Sequence, residues 1–296
     1  MPMDHELPKA AFHALTGIDC HVKVVDVGAN PIDGTPPYAT LLHSGRAEII
    51  GFEPDPAGLA QLNANKGPRE TYLPYAIADG GHHLLRVCQA PGMNSLLEPN
   101  QPVLALFHGF PEWGHVMATR AVDTVRLDDV EETCGADLIK LDIQGGELLA
   151  LRHAAARLAD ATVVQAEVEF LPLYVDQPLF ADIDGFMRQN GFMFHRFFPV
   201  VSRVIRPLAV DHNIYAGLSQ MVWADAVFIR DITRLDLLSD RQLLVMAAIM
   251  HDCYGSFDVT LHLLNEHERR RGTQFADVYL SRLRAHATSF HQPAAT

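Results

Sequence analysis

Short runs of β-branched residues alternate with helix-like segments along most of this chain, and no other feature of the sequence constrains the fold as much. Between the runs, apolar residues recur at spacings of three and four, as Leu148, Leu151 and Leu158 do, which is typical of amphipathic helices. Strands that alternate with helices predict an α/β fold with a mainly parallel sheet. The predicted strands are residues 22–27, 47–53, 72–78, 137–142, 162–169, 191–198 and 223–229, with an accessory strand at 84–88.

Two stretches depart from this alternation. Between residues 90 and 114, seven prolines and glycines divide the chain into turns, and a segment this long without regular structure is usually functional or mobile. After about residue 235 the period is helical only, and Ser239 to Gln242 predicts a capping box. We therefore predict a domain of residues 1–234 followed by a helical C-terminal extension of residues 235–296.

The composition is that of an ordinary globular protein, since 48% of the 296 residues are hydrophobic and 20% are charged. A formal net charge of -13 disfavours a nucleic-acid partner, because contact with a phosphate backbone requires a local excess of lysine and arginine. The segment Met1 to Lys9 lacks the apolar core of a signal peptide, and no apolar run reaches the roughly 20 residues that span a bilayer. We expect a cytoplasmic protein without a membrane span, with its four separated cysteines reduced.

Polar residues follow the first two predicted strands, at the sheet edge where ligands of open parallel sheets bind. The first strand runs into Asp26, Gly28 and Asn30, and the second ends in Glu53. Glycine allows the backbone to pass close to a nucleotide, and an acid at the end of the second strand accepts hydrogen bonds from both ribose hydroxyls. The same residues are also compatible with a tight turn between strand and helix that binds no ligand.

The glycine pattern distinguishes between two nucleotide cofactors whose binding proteins share this arrangement of strand ends. Enzymes that bind NAD carry the fingerprint G-x-G-x-x-G, whose second glycine lets the pyrophosphate approach the backbone. Here Gly28 is followed by Ala29 and Asn30, and the next glycine is Gly34. The missing glycine disfavours a pyrophosphate but is compatible with a nucleoside sulfonium, which has no phosphate.

Four segments occur in an order and spacing that are more specific than any one of them. They are Val24 to Asn30, Gly51 to Pro56, Gly92 to Leu96 and Asp137 to Glu147. Together they resemble the FkbM family of methyltransferases, from about residue 22 to residue 198. The resemblance implies a class I methyltransferase (Rossmann-like) fold, with a seven-stranded, mostly parallel sheet and an antiparallel last strand, for which residues 223–229 fit. It also implies S-adenosyl-L-methionine as methyl donor and, usually, a hydroxyl oxygen as acceptor.

The resemblance also implies roles for individual residues. Glu53 would bind the ribose hydroxyls, and Asp79 the adenine amino group. The chain departs from the family at Pro31 to Tyr38, a proline-rich insert that replaces the glycine found soon after the asparagine in most members. The mouth of the pocket is therefore the part that the family pattern does not predict. Carried over by position, the cofactor-binding residues are Asp26, Gly28, Asn30, Glu53, Asp55, Ala78 and Asp79.

Methyl transfer to a hydroxyl requires a group that accepts the proton of the alcohol. Asp142, at the end of the strand predicted at 137–142, would lie in the cleft and is our first candidate for this catalytic role. His115 in the long loop is a second candidate, although a solvated loop histidine is the more ordinary interpretation in a chain with 16 histidines. Lys140 shares a strand face with Asp142 and would either orient it as a charge pair or be neutralised by another carboxylate.

Two further acids, Glu167 and Glu169, share a face near the end of the next strand. With Asp142 they would provide oxygen ligands of the kind that a divalent metal prefers. The apolar residues that follow, Phe170 to Pro172, suit a pocket rim equally well. We therefore do not include a metal among the expected cofactors.

The sequence leaves three functions open. The first is S-adenosylmethionine-dependent O-methylation of a small molecule or glycan, by a protein whose amphipathic tail is compatible with a homodimer. The second is a non-catalytic binding or scaffold protein that retains the fold, and the third is an NAD-dependent oxidoreductase. The presence of Asp26, Glu53 and Asp142 disfavours the second function, and the missing glycine fingerprint disfavours the third.

Overall fold

The computed structural model describes residues 10–30 and 34–286, so the segment 1–9 and the first part of the predicted insert, residues 31–33, lie outside the described residues. Ten strands lie in the described part of the chain. They are β1 (Val22–Val27), β2 (Ala47–Phe52), β3 (Glu70–Leu73), β4 (Ala76–Ile77), β5 (His82–Cys88), β6 (Val116–Val125), β7 (Leu138–Leu141), β8 (Val163–Glu169), β9 (Phe192–Arg203) and β10 (Gln220–Arg230).

Seven of these strands form the main sheet, in the order β3-β2-β1-β7-β8-β10-β9. Strand β7 is parallel to both β1 and β8, and β2 is parallel to β3. Strand β10 is antiparallel to both β8 and β9. The predicted class I methyltransferase sheet, mostly parallel and with an antiparallel last strand, is confirmed.

A second sheet contains three strands in the order β4-β6-β5. Strand β5 agrees with the accessory strand predicted at 84–88, and the single strand predicted over 72–78 is divided between β3 and β4. Strand β6 was not predicted, because most of its residues are exposed and no regular spacing of apolar residues marks it.

Eleven helices lie in the described part of the chain. Two of them are short helices within residues 90–114, the segment for which the sequence predicted no regular structure. There Phe107 and Phe110 are buried and pack with Tyr174, so this segment is part of a hydrophobic core. The helices are α1 (Phe12–Thr16), α2 (Ala39–His43), α3 (Pro56–Asn65), α4 (Gln101–Leu104), α5 (Phe110–Trp113), α6 (Glu147–Arg152), α7 (Ala155–Asp160), α8 (Phe180–Gln189), α9 (Asp240–Asp252), α10 (Phe257–Arg271) and α11 (Phe275–His286).

One hydrophobic core packs the central strands against α6, α7 and α8. Strand residues such as Val25 and Ile139 meet helix residues such as Leu151 and Met187, all at most 1% exposed. Full burial of one such side chain stabilises the fold by roughly 1.5–3 kcal/mol. This core fixes the positions of the strand ends, where the candidate site lies.

The chain forms two compact units. One unit consists of the described residues within 24–34 and 49–231. The other consists of those within 1–23, 35–48 and 232–296. In the second unit the predicted capping box is present, since Ser239 Oγ accepts a hydrogen bond from Gln242 N at 3.2 Å and the Gln242 side chain returns to Ser239 N. The structure groups α1 and α2 with α9 to α11, which the sequence did not indicate.

No disulfide joins the four cysteines, all of which lie in the described residues. Among the described helices, none is long and apolar enough to cross a membrane.

Candidate active site

The carboxyl ends of β1 and β7 meet at Gly28. Its φ is 83°, and a Cβ atom at this position would overlap the carbonyl oxygen of Asp142. Asp142 N donates to Val27 O at 3.0 Å, which holds the ends of the two strands level. Only glycine is compatible with this close approach, so Gly28 brings the loops after β1 and β7 to one edge of the sheet.

Asp26 and Lys140 form a buried ion pair across β1 and β7. The two residues are register partners, and Lys140 Nζ donates to Asp26 Oδ1 at 3.2 Å. Burial lowers the pKa of the Lys140 ammonium, but the negative charges of Asp26 and then Asp142 outweigh it and raise the pKa overall. The lysine is therefore charged and bonded to a carboxylate other than Asp142.

Glu53 lies directly after β2 and is 5% exposed. Its Oε1 accepts from Asp55 N at 2.7 Å, and the Asn30 side chain also hydrogen-bonds to it. Burial raises the pKa of Glu53, and the hydrogen bond from Asp55 N partly offsets that rise. The structure thus brings Asn30 and Glu53 together at the edge of the sheet, as a shared binding role requires.

Asp55, another predicted cofactor residue, caps helix α3. Its Oδ2 accepts from Ala57 N at 3.1 Å and from Gly58 N at 3.0 Å, which satisfies two N–H groups of the first turn. This capping explains the residue locally, and a cofactor contact of Asp55 stays a prediction.

Ala78 and Asp79 follow β4. Ala78 is fully buried and its N–H donates to Val125 O at 3.1 Å. Asp79 Oδ1 accepts from His83 Nε2 at 2.7 Å and from Gly81 N at 2.9 Å, and these bonds, His83 first, lower the pKa of Asp79 to about 2. Asp79 is therefore a charged acceptor at neutral pH.

A cavity of about 580 Å³ opens beside Asp142. Its floor is acidic and its walls are largely apolar and aromatic, with one arginine. The residues that line it are Ala90, Gly92, Met93, Phe110, Trp113, Asp142, Gln144, Glu167, Glu169, Leu173, Pro199, Val201, Arg203, Tyr215, Trp223 and Asp225.

The register of β8 and β10 gathers the acids of the floor. Glu167 lies opposite Asp225, and Glu169 lies two residues further along the same strand face. Burial, and after it the charge of Asp142, raises the pKa of Glu167 well above the ordinary glutamate value. Burial, and after it the charge of Glu147, does the same to the pKa of Glu169. Both carboxyls therefore keep a proton to higher pH than an ordinary glutamate does, and in that form each can donate as well as accept a hydrogen bond.

Gln144 connects two of the cavity carboxylates. Its Nε2 donates to Asp142 Oδ1 at 3.1 Å and to Glu167 Oε2 at 2.6 Å, while Tyr174 OH donates to its Oε1 at 3.1 Å. Neither Gln144 nor Tyr174 was among the site residues predicted from the sequence. A signal for Gln144 was present, since it is a polar residue two positions after Asp142 within the motif that ends at Glu147.

Aromatic side chains form the wall opposite the acids. Trp113 and Tyr215 stack with ring centroids 5.7 Å apart, and Arg203 lies 4.8 Å over the ring of Trp223. Stacked rings present flat apolar faces to a bound molecule, and the arginine adds a cation. Trp113 lies in the long segment for which the sequence predicts a functional or mobile loop, whereas the contribution of β9, β10 and their connection was not predicted.

Two further suggestions from the sequence were His115 as a catalytic residue and a metal site formed by three acids. His115 is exposed and is not among the residues that line the cavity. In the described ranges, no group of three or more His, Cys, Asp or Glu side chains is arranged to hold a metal ion, which includes the set of Asp142, Glu167 and Glu169.

The sheet order and the polar residues at its strand ends define a class I methyltransferase. The family model described as a methyltransferase FkbM domain matches residues 26–194, more than half of the chain. The protein belongs to the FkbM family of methyltransferases.

Several solved structures are similar at low identity. A precorrin-6y C5,15-methyltransferase from Geobacter metallireducens is 12% identical, with 74% of this chain and 85% of that chain covered and a TM-score of 0.36. A 16S rRNA (adenine(1408)-N(1))-methyltransferase from Catenulisporales acidiphilia is 10% identical, with 74% and 91% covered and a TM-score of 0.34. TYW2 of M. jannaschii, in complex with AdoMet, is 12% identical, with 74% of each chain covered and a TM-score of 0.31. No functionally curated protein matches this chain.

S-adenosylmethionine is the cofactor of this class of methyltransferase, and the residues present fit it. Glu53 is a buried acid at the end of β2, as recognition of a ribose diol requires, and Asp79 is a charged acceptor that directly follows β4. Carboxylates at successive strand ends suit a cationic nucleoside without phosphate.

Proposed function

We propose that this protein is an S-adenosylmethionine-dependent O-methyltransferase that acts on a hydroxyl group of a small molecule or glycan. The observation that carries the proposal is the cavity of about 580 Å³, which has Asp142 in its floor next to Gly28. Sites for small molecules typically measure about 300–1,000 Å³ and combine apolar walls with a few polar groups.

The proposed mechanism assigns binding and proton transfer to separate residues. When bound, S-adenosylmethionine supplies an activated methyl group with a neutral leaving group. Glu53 and Asn30 hold the ribose, and Asp79 orients the adenine. Asp142 accepts the proton of the acceptor hydroxyl as its oxygen attacks. Alignment of the hydroxyl by the cavity walls contributes up to ~7–11 kcal/mol to lowering the barrier.

Asp142 is a better base than His115, because it lines the cavity whereas His115 is exposed outside it. Lys140 acts one step away, since it neutralises Asp26 and contributes positive charge near Asp142. Its role is to place a positive charge between two acidic side chains that lie close together.

The charge of the cavity favours an acceptor without a phosphate backbone. Four acids line it and Arg203 is the one basic residue among its described lining. A phosphate backbone would therefore meet little positive charge in the cavity, and the overall formal charge of -13 disfavours a nucleic acid as well. The homodimer, the cytoplasmic location and the division into residues 1–234 and 235–296 stay predictions.

The test is transfer of labelled methyl groups from S-adenosylmethionine to hydroxyl-bearing small molecules and glycans, by wild type and by Asp142→Asn. We expect the variant to lose at least about 100-fold in kcat, a typical effect of removing a general base, while S-adenosylhomocysteine binds as before. Asp236→Asn is the matched control, because the Asp236 side chain is 68% exposed. An unchanged rate in Asp142→Asn would remove Asp142 from the mechanism. Cofactor binding without transfer to any acceptor would favour the non-catalytic alternative.

A further inference from the structure

Gln144 has a backbone conformation that is unusual for its residue type. Its φ is 56°, in the left-handed region, where a residue with a Cβ is strained relative to an ordinary conformation. Such residues persist where the surrounding structure holds them, and they are concentrated at functional sites. Here Ser95 Oγ donates to Gln144 O at 2.7 Å and fixes the backbone.

The strained backbone directs the side chain between two carboxylates. The amide nitrogen donates to Asp142 Oδ1 at 3.1 Å and to Glu167 Oε2 at 2.6 Å, and a carboxyl oxygen accepts such a bond even when the other oxygen of the same group carries a proton. Tyr174 OH donates to the amide oxygen from the opposite side at 3.1 Å. Tyr174 is fully buried, so its ring cannot turn away and the orientation of the amide is fixed.

The surroundings of Asp142 and Glu167 favour one negative charge on these two carboxyl groups over two. Burial and the charge of Asp142 both raise the pKa of Glu167. Like charges held at one site do not ionise together easily, so one of the two keeps a proton. Four acidic groups surround Glu167: Asp142 after β7, Glu147 on α6, Glu169 on β8 and Asp225 on β10. The hydroxyl of Tyr174 also faces it. The positive charge of Lys140 interacts with Asp142 and Asp225.

We propose that Gln144 is a positioning residue that holds Asp142 and Glu167 as a single proton-accepting pair. The proposal rests on the proposed function. As the acceptor oxygen bonds to the methyl carbon, the carbon–sulfur bond breaks and its electron pair stays on sulfur. The hydroxyl proton passes to the Asp142 end of the pair. The pair thus holds one proton before the transfer and two after it, and releases the extra proton to solvent.

The test uses Gln144→Gly, which removes the amide while placing at this φ the residue that tolerates it best. We expect unchanged or higher thermal stability and unchanged affinity for S-adenosylhomocysteine. We expect kcat to fall 10- to 100-fold. The acidic limb of the kcat–pH profile should move to higher pH, because an N–H that stabilises the charged pair is lost. Tyr174→Phe, which keeps the ring, should change kcat and the profile in the same direction by a smaller factor.

A carboxyl ¹³C NMR titration of the same variants, with Glu167→Gln to assign the signal, reports on the pair without any turnover. The Glu167 signal should titrate at higher pH in Gln144→Gly than in wild type. Tyr279→Phe, which removes a buried hydroxyl bonded to His251, is the control and should change neither readout. An unchanged Glu167 titration, or an unchanged kcat despite an altered titration, would overturn the positioning role. An altered titration in a protein that transfers no methyl group would instead overturn the proposed function.

Discussion

Single buried carboxylates determine what the strand ends can bind. Glu53 is only 5% exposed, and its hydrogen bond from Asp55 N fixes the direction of the carboxylate before a ligand arrives. A group ordered in advance loses little further conformational entropy on binding, which strengthens the interaction.

At this scale we predict that Glu53→Ala weakens S-adenosylhomocysteine binding by about 2 kcal/mol, or roughly 30-fold, because hydrogen bonds to a charged acceptor are lost. Isothermal titration calorimetry measures the change. Glu48→Ala, an exposed acid on the same strand β2, is the control and should bind as wild type does. Equal affinity in Glu53→Ala and wild type would exclude Glu53 from the cofactor site.

The sequence could predict Asp26, Glu53 and Asp142 as site candidates because each lies at or near the carboxyl end of a strand, a position that chain order alone reveals. It could not predict Asp225 or Arg203, since their place in the cavity depends on how β9 and β10 pair with β8. The order of the strands in the sheet is a property of the three-dimensional fold, and the run of residues within one strand does not reveal which strands lie beside it.

At the scale of secondary structure, the contact between the ends of β1 and β7 is the tightest constraint on the site. A side chain at Gly28 would have to displace the Asp142 backbone, and with it the proposed base.

We therefore predict that Gly28→Ala lowers the free energy of unfolding by more than Gly135→Ala does. Both glycines have a positive φ, 83° and 73°, but a Cβ at Gly135 meets no atom within 4 Å. Gly135→Ala should lower the free energy of unfolding by about 1 kcal/mol, because alanine disfavours a positive φ. In Gly28→Ala the overlap with the Asp142 backbone should lower it by at least about 1 kcal/mol more. Urea unfolding of both variants measures the difference, and equal losses would show that the strand ends can move apart freely.

Element types followed from the sequence where burial was continuous. Strands β7 and β8 were predicted within one residue at each end, since they are almost wholly buried and rich in valine, isoleucine and leucine. The helix predicted through Leu148 and Leu158 is instead two helices, α6 and α7, interrupted at His153. A spacing of three and four describes both arrangements, so the pattern could not distinguish them.

At the scale of the molecule, the helical unit has its own buried polar centre. Asp252 Oδ1 accepts from Phe12 N at 2.8 Å, and His251 hydrogen-bonds to Tyr279 OH and to Ala10 O, each at 2.9 Å. These bonds join the first described residues to α9 and α11. They explain why segments far apart in sequence form one unit, which periodicity along the chain cannot reveal.

Burial raises the pKa of Asp252 to about 6 from its ordinary value of 3.8. Between these values the folded protein binds more protons than the unfolded chain, so the contribution of Asp252 to stability falls as pH rises through that window. We predict that Asp252→Asn, which keeps an oxygen acceptor, gains stability relative to wild type by up to about 3 kcal/mol between pH 4 and pH 7. Chemical denaturation at both pH values measures this, with the exposed Asp258→Asn as control. A difference that is independent of pH would contradict it.

The central claim is that the edge of the sheet around Gly28 and Glu53 binds S-adenosylmethionine. Calorimetric titration of wild-type protein with S-adenosylhomocysteine, and separately with NAD, tests it most directly. We predict saturable binding of one S-adenosylhomocysteine per chain and no binding of NAD. Binding of NAD, or no binding of S-adenosylhomocysteine, would contradict the account.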